Sequence, residues 1–185
     1  MGLQVSGEAH ERLSTYAAEL ERWNRSINLT ALRGADLRRR LIVEPIWIGH
    51  QLQMSGALAD VGSGNGSPAI PLCVTRSFSE VHLIEARAKR AAFLRHIVMK
   101  LGLERVVVHK SRLEAMPVAL GSLDWITLQA VAATRELLAA LRPSTSLTTR
   151  VVWITSRQAP PVPPDQHLTV PGSDTEIWTF HLDHS

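Results

Sequence analysis

Three glycines at alternate positions, in Asp60-Val61-Gly62-Ser63-Gly64-Asn65-Gly66-Ser67-Pro68, follow a short apolar run from Ala57 to Val61. Glycine accepts the backbone angles of a sharp turn and lets the main chain approach a ligand closely. The next residues, Ala69-Ile70-Pro71-Leu72-Cys73-Val74, are apolar, and Pro68 suits the first turn of a helix. The first amides of such a helix have no partner within it. A strand, a tight turn and a helix in this order form the opening of an alternating α/β fold.

The rest of the chain continues the alternation. Val81 to Glu85, Val106 to His109, Leu123 to Leu128 and Val151 to Ile154 read as further strands. Between them, Ala91, Leu94, Ile97, Val98 and Leu101 make one helical face from Arg87 to Leu101, and a shorter helix is predicted from Thr134 to Leu141. This pattern predicts a mostly parallel sheet, with helices on both faces and right-handed crossovers.

The two ends differ from the middle. Leu13, Tyr16, Ala17, Leu20 and Trp23 recur at helical spacing, which predicts a helix from Ala9 to Trp23. Asp36 is placed to cap a second helix through Arg40, Ile42, Val43, Ile46 and Ile48, with a break or kink at Pro45. Four prolines between Gln158 and Asp165 require a loop. Glu176 to Leu182 alternates as a last strand, paired antiparallel with His167 to Val170 across Pro171-Gly172. A chain of 185 residues is expected to form a single domain, with 1–55 as a helical extension and 56–185 as the α/β core.

Composition removes several classes of function. One cysteine, Cys73, excludes an intrachain disulfide, and its apolar neighbours predict a buried structural thiol. The N-terminus lacks a signal-peptide pattern, and Met1-Gly2 with Ser6 matches a myristoylation pattern only loosely. No apolar run approaches the ~20 residues of a membrane span, so a soluble cytoplasmic protein is expected. The net charge of +3 permits nucleic-acid binding without requiring it. The eight histidines show no metal-ligand spacing, and no metal is expected.

The glycine spacing discriminates between nucleoside ligands. A dinucleotide loop, G-x-G-x-x-G, would put its third glycine at position 67, where this chain has Ser67. The observed G-x-G-x-G after Asp60 instead resembles the cofactor loop of S-adenosylmethionine methyltransferases. Glu85 ends the second strand, where a carboxylate accepts hydrogen bonds from ribose hydroxyls. NAD and an adenosyl cofactor would satisfy it equally.

Four segments, the glycine turn among them, carry a resemblance to one family. Trp23-Asn24-Arg25-Ser26-Ile27-Asn28-Leu29-Thr30 is close to W-N-x-x-x-N-L-T, and Asp60 to Leu72 resembles D-V-G-[ST]-G-x-G-x-P-[GA]-I-P-L. Lys89 to Leu94 resembles K-R-x-x-F-L, and Ser111 to Glu114 resembles S-R-x-E. In this order they resemble the RsmG (GidB) family of 16S rRNA guanine-N7 methyltransferases, from about Leu20 to about Ala133. The resemblance implies a Rossmann-like class I methyltransferase fold with an N-terminal helical extension. It also implies S-adenosyl-L-methionine as cofactor and 16S rRNA of the small ribosomal subunit as partner, with the chain acting as a monomer. By position it implies a cofactor site formed by Asp60, Gly62, Gly64, Ser67, Glu85, Leu113, Glu114 and Gln129. On the residues alone, Leu113 reads as core packing and Glu114 as a charge at a helix start.

The departures from the family pattern fall near that site. Its H-x-x-D-S becomes Leu41, Glu44 and Pro45; its serine-arginine after the fourth strand becomes Leu128-Gln129; its lysine-glycine after the fifth becomes Thr155-Ser156. A changed acceptor, such as another RNA or a small molecule, is therefore an alternative, as is a non-catalytic cofactor- or RNA-binding module. Guanine N7 carries a lone pair and no proton, so methylating it needs no general base, and no catalytic residue is assigned. The product gains positive charge, which an acid would favour; Glu44 is the candidate, against a plain helix-surface charge. Arg33 with Arg38, Arg39 and Arg40, and Arg87, Lys89, Arg90, Arg95 and Lys100, read either as phosphate contacts or as solvated faces. The five tryptophans read as core residues ahead of base-stacking platforms.

Overall fold

The computed structural model describes residues 4–116, 120–156 and 160–182. Seven strands form one sheet in the order β3-β2-β1-β4-β5-β7-β6. They are β1 (Gly56–Val61), β2 (Phe78–Ile84), β3 (Val106–His109), β4 (Trp125–Gln129), β5 (Arg150–Thr155), β6 (Gln166–Thr169) and β7 (Glu176–His181). The first five are mutually parallel, and β7 runs antiparallel to both β5 and β6. This is the predicted sheet, including the hairpin at its end.

Period-two alternation divides the core between two faces. Leu58 packs with one cluster, which takes Tyr16 and Leu20 from α1 (Gly7–Trp23), Ile48 from α3 (Glu44–Gln51), Ile70 and Leu72 from α4 (Ala69–Thr75), and Phe93, Leu94 and Ile97 from α5 (Ala88–Lys100). Ala59 and Val61 face the other cluster, which holds Leu113 and, from α6 (Arg135–Leu141), Leu137, Leu138 and Leu141. Burying a side chain such as Leu20 of α1 fully contributes about 1.5–3 kcal/mol, which explains why the extension is packed onto the sheet rather than appended to it.

The helices begin and end largely where chemistry demands. Ser6 caps α1 by accepting the Ala9 amide, and Thr134 caps α6 by accepting the Leu137 amide. Asp36 does not cap the second helix: it lies inside α2 (Gly34–Arg38), whose N-cap is Arg33. The expected break at Pro45 takes another form. Proline has no amide to donate, and the turn before it widens into a π segment, Arg39–Val43, in which the Glu44 amide reaches back five residues to the Arg39 carbonyl. The chain then continues into α3 with Pro45 in its first turn.

The π segment brings α2 and α3 against the β6–β7 turn. Arg39 donates to the Gly172 carbonyl, Arg40 pairs with Asp174, and Thr175 donates to Glu44 Oε2 at 2.7 Å. The N-terminal extension and the C-terminal hairpin are thereby joined beside the C-terminal ends of β4 and β5. No helix of the described residues is long and apolar enough to cross a membrane.

Candidate active site

In a parallel sheet, the crevice at the strands' C-terminal ends lies where the order reverses. Here the order reverses between β1 and β4. A cavity of about 770 Å³ opens there, within the size range of small-molecule sites. Its inner wall is made by Gly62, Ser63, Gly64, Asn65 and Ser67 after β1, by Gln129 at the end of β4 and by Ala130, Val131 and Ala132 after it.

The glycine turn is held from several sides. The Gly62 and Ser63 amides donate to the Ile84 carbonyl at 2.8 and 3.1 Å, tying the turn to the end of β2. Gly62 has φ +75°, and a Cβ there would lie 2.6 Å from Val131 Cγ2. Gly66 has φ +92°, and a Cβ there would lie 2.8 Å from Ile70. Only glycine meets both conditions without strain. Pro68 is the N-cap of α4 rather than part of its first turn, and the Ser67 and Ile70 amides are taken by Asn65 Oδ1 and the Gly66 carbonyl. The expectation of unpartnered amides at this helix start is corrected to that extent.

Beneath the turn lie two acids. Asp60 is buried; its Oδ1 accepts from Thr127 at 2.7 Å and its Oδ2 has no hydrogen-bond partner among the described residues. Burial, aided by the charge of Glu85 and opposed by the hydroxyls of Thr127 and Ser63, raises its pKa from 3.8 to about 7. Glu85 accepts the Gly64 amide on Oε2 at 3.0 Å and the Arg87 amide on Oε1 at 2.7 Å. It therefore shapes the turn by spanning the ends of β2 and β1.

The W-N-x-x-x-N-L-T segment supplies part of the outer wall. Asn24 Oδ1 accepts the Leu29 and Thr30 amides at 2.8 and 3.1 Å, and its Nδ2 donates to the Thr30 carbonyl at 2.8 Å. Arg90 donates to the Asn28 carbonyl at 2.9 Å. These bonds hold Leu29 and Thr30 in the cavity wall. Arg40, Leu41 and Glu44 from the second helical segment, and Trp153, Thr155, Ser156 and Thr175 from the far side, complete it.

Of the eight residues expected at a cofactor site, Gly62, Gly64, Ser67 and Gln129 line the cavity directly. Asp60 and Glu85 stand behind the turn. Leu113 and Glu114 are not among the lining residues: Leu113 is buried in the α6-side core and Glu114 is exposed on a short 3-10 turn. Thr175 and the Ala130–Ala132 turn carry no signal in the sequence, and Thr30 carries one only as the end of the W-N-x-x-x-N-L-T segment. Ala130 has φ +55°, an unusual angle for alanine, which nothing in its residue type announces.

Several expected cations serve the fold. Arg39 and Arg40 hold the hairpin turn, Arg90 holds the Asn28 carbonyl, and Lys100 pairs with Glu19 at 2.6 Å. Gln129, Thr155 and Ser156, all uncharged, line the cavity where the resemblance implied a serine-arginine and a lysine-glycine. Trp125 and Trp153 are buried, and Trp153 Nε1 donates to the Val131 carbonyl at 3.0 Å. Cys73 is partly buried, and burial pushes its thiol up to about 12, leaving it protonated and inert. No group of three or more metal-ligating side chains occurs among the described residues.

The chemistry of the cavity fits an adenosyl sulfonium ligand. The glycine cradle leaves room for a ligand against the backbone, and Ser67 Oγ and Gln129 Oε1 are buried polar atoms with no hydrogen-bond partner among the described residues. Such atoms are costly unless a ligand or solvent satisfies them.

The fold and this turn are those of Rossmann-like class I S-adenosylmethionine methyltransferases. A methyltransferase structure from Aquifex aeolicus superposes with a TM-score of 0.62 at 15% identity, covering 88% of this chain and 97% of the other. An RNA methyltransferase from Salinibacter ruber, solved with S-adenosyl-L-homocysteine, superposes at 0.58 and 18% identity, covering 77% and 92%. The GidB family, described as rRNA small subunit methyltransferase G, matches residues 9–159, and the chain belongs to that family. Ribosomal RNA small subunit methyltransferase G of Wolinella succinogenes is 38% identical over 133 residues, 72% of this chain and 68% of that protein. The Halorhodospira halophila protein of the same name is 38% identical over 141 residues, 76% and 66%. The Neisseria meningitidis relative is 37% identical over 117 residues, 63% of this chain and 56% of that protein. The chain thus spans between just over half and about two thirds of the length of these relatives.

Proposed function

We propose that this chain is an S-adenosylmethionine-dependent methyltransferase of a single domain, acting in the cytoplasm as a monomer on N7 of a guanine in 16S rRNA of the small ribosomal subunit. The observation that carries the reading is the cavity at the β1/β4 reversal, with its glycine turn and its Ser67 and Gln129 oxygens that have no hydrogen-bond partner among the described residues. Family membership supplies the class of acceptor.

Gly62, Gly64, Ser67 and Gln129 are assigned to the cofactor as direct contacts, with Asp60 and Glu85 supporting the turn. Glu85 still meets ribose hydroxyls in this reading, by sharing the oxygens that hold Gly64 and Arg87. Leu113 and Glu114 are assigned to the adenine edge on the resemblance alone. Bound there, S-adenosylmethionine supplies an electrophilic methyl group on a sulfonium. The guanine N7 lone pair forms the new N–C bond as the C–S bond breaks, and that electron pair returns to sulfur. No proton moves, so the residues contribute by holding donor and acceptor in line and by excluding water.

The test combines the purified chain, methyl-labelled S-adenosylmethionine and small ribosomal subunits from a strain lacking the family enzyme. Label in 16S rRNA, recovered as 7-methylguanosine, is the expected result. The uncharged Gln129, Thr155 and Ser156 favour a second reading, in which the acceptor has changed. Absence of label beside an active family enzyme would select that reading, or binding without turnover.

A further inference from the structure

Glu44 is 2% exposed and lines the cavity, yet only one of its carboxylate oxygens is satisfied within the protein. Oε2 accepts the Thr175 hydroxyl at 2.7 Å, and Oε1 has no hydrogen-bond partner among the described residues. Arg39 Nε forms an ion pair with Oε1 at 3.6 Å, too long for a hydrogen bond, while Nη2 of the same guanidinium donates to the Gly172 carbonyl. Two elements from opposite ends of the chain therefore hold a buried carboxylate in place and leave one acceptor unused. Keeping a buried acceptor without a hydrogen bond is costly, so a donor is expected to meet it when the site is occupied.

We propose that Glu44 reads the Watson–Crick edge of the acceptor guanine, with its carboxylate accepting from N1–H and the 2-amino group. This rests on the methyltransferase reading given above and names the determinant of its acceptor. The inner wall, made by the turns after β1 and β4, suffices for the cofactor. Glu44 belongs to the outer wall, built by the helical extension and the hairpin turn, which leaves it for the second substrate. Among the bases, guanine alone puts two adjacent donors on this edge; adenine presents an acceptor at N1, which a carboxylate repels. Methyl transfer to N7 leaves the ring positive and makes N1–H a stronger donor. The contact therefore tightens as the reaction proceeds, the condition for accelerating it. The π segment before Pro45 supports the assignment: by widening the turn it places Arg39, Arg40 and Glu44 together against residues 172–175.

The test measures binding of GMP, IMP and AMP to the full chain saturated with S-adenosyl-L-homocysteine, by NMR titration, beside the 16S rRNA transfer assay. IMP lacks only the 2-amino group. GMP is expected to bind about 10-fold or more tightly than IMP, the range for a hydrogen bond to a charged group, with AMP weaker still. Glu44→Gln, which keeps the size and the acceptor for Thr175, should erase the GMP preference while leaving S-adenosyl-L-homocysteine affinity and the melting temperature unchanged. Thr175→Val, which keeps the charge but frees the carboxylate, should retain part of the preference.

Equal affinity of the unmodified chain for GMP and IMP, or no GMP binding at all, overturns the assignment. So does a Glu44→Gln variant that loses S-adenosyl-L-homocysteine instead, because the carboxylate would then serve the cofactor. A chain that methylates 16S rRNA but treats GMP and IMP alike refutes Glu44 and leaves the methyltransferase reading standing. A Glu44-dependent GMP preference without transfer to 16S rRNA does the reverse.

Discussion

Tyr16 of the first helix donates its hydroxyl proton to the Asn65 carbonyl at 2.9 Å, so the extension holds the glycine turn from behind. The ring is fully buried, and burial, with the nearby charge of Asp60, keeps the phenol protonated and available as a donor. A segment that the sequence presents as an appendage thus sets the shape of the candidate site.

Removing that hydroxyl should loosen the turn without emptying the core. Tyr16→Phe is expected to lower stability by about 0.5–1.5 kcal/mol, the net worth of one such bond. S-adenosyl-L-homocysteine affinity should fall several-fold alongside it. Calorimetric titration and denaturant unfolding of the same preparation check both numbers; unchanged affinity would show that the turn is held sufficiently by its bonds to β2 and Glu85.

Gly62 is the position least able to accept a side chain. Gly62→Ala combines a φ of +75° with a contact of 2.6 Å to Val131. The backbone term alone costs about 1–2 kcal/mol, and relief of the contact must shift the Val131 side chain in the adjoining turn of the same wall. Cofactor affinity should drop by more than stability does. Gly62→Arg should abolish cofactor binding in a protein that still folds, as judged by circular dichroism.

Asp60 predicts an unusual pH dependence. Its folded-state pKa of about 7 stands above the ordinary value of 3.8, so between those values the folded chain binds the proton that the unfolded chain releases. Stability from this group is complete below about pH 4 and declines as pH rises towards 7. Asp60→Asn should flatten that decline. Melting temperatures of both proteins from pH 4 to pH 8 provide the comparison, and parallel curves would contradict the assignment.

Glu19 works in the opposite direction. Burial opposes its ionisation, but hydrogen bonds from Lys100, Arg22 and His96, together with the charge of Arg22, outweigh burial and lower its pKa from 4.5 to about 2. A depressed acid contributes stability above its unfolded pKa and loses it as pH falls towards the folded value. Glu19→Gln should therefore destabilise the α1–α5 contact at neutral pH. Its difference from the unmodified protein should shrink as pH falls from about 4.5 to about 2. Moderate salt should weaken the same contact, because Arg22 and Lys100 are largely exposed.

The strands were legible because each is a short apolar run, and pattern alone separates such runs from the amphipathic helices between them. Val106 to His109 needed no correction, and the others moved by three residues or fewer at either end. The second helix was harder. Pro45 announced an irregularity, but whether proline breaks, kinks or widens a helix depends on what the neighbouring turns pack against. Asp36 looked like a cap because aspartate favours that position, yet the chain entered the helix two residues earlier.

The site divides in the same way. Gly62, Gly64 and Ser67 were visible because a ligand-hugging turn restricts residue type, and residue type is what a sequence records. Glu85 was visible as an acid at a strand end, although its two bonds to backbone amides were not. Thr175 and Ala130 left no such mark, since threonine and alanine serve anywhere, and Thr30 was marked only by its motif and not by its residue type. They belong to the cavity only because α3, the hairpin turn and the end of β4 converge there.

By itself the sequence determined the alternating α/β fold, the glycine turn and the family, because local spacing and residue type are set along the chain. Tertiary structure alone decided that Arg39, Arg40 and Glu44 meet residues 172–175, more than a hundred positions away. The physical reason is that burial and hydrogen-bond satisfaction are properties of packed surfaces. Only the folded chain shows which carboxylate oxygen of Glu44 accepts a hydrogen bond from Thr175 and which accepts none among the described residues.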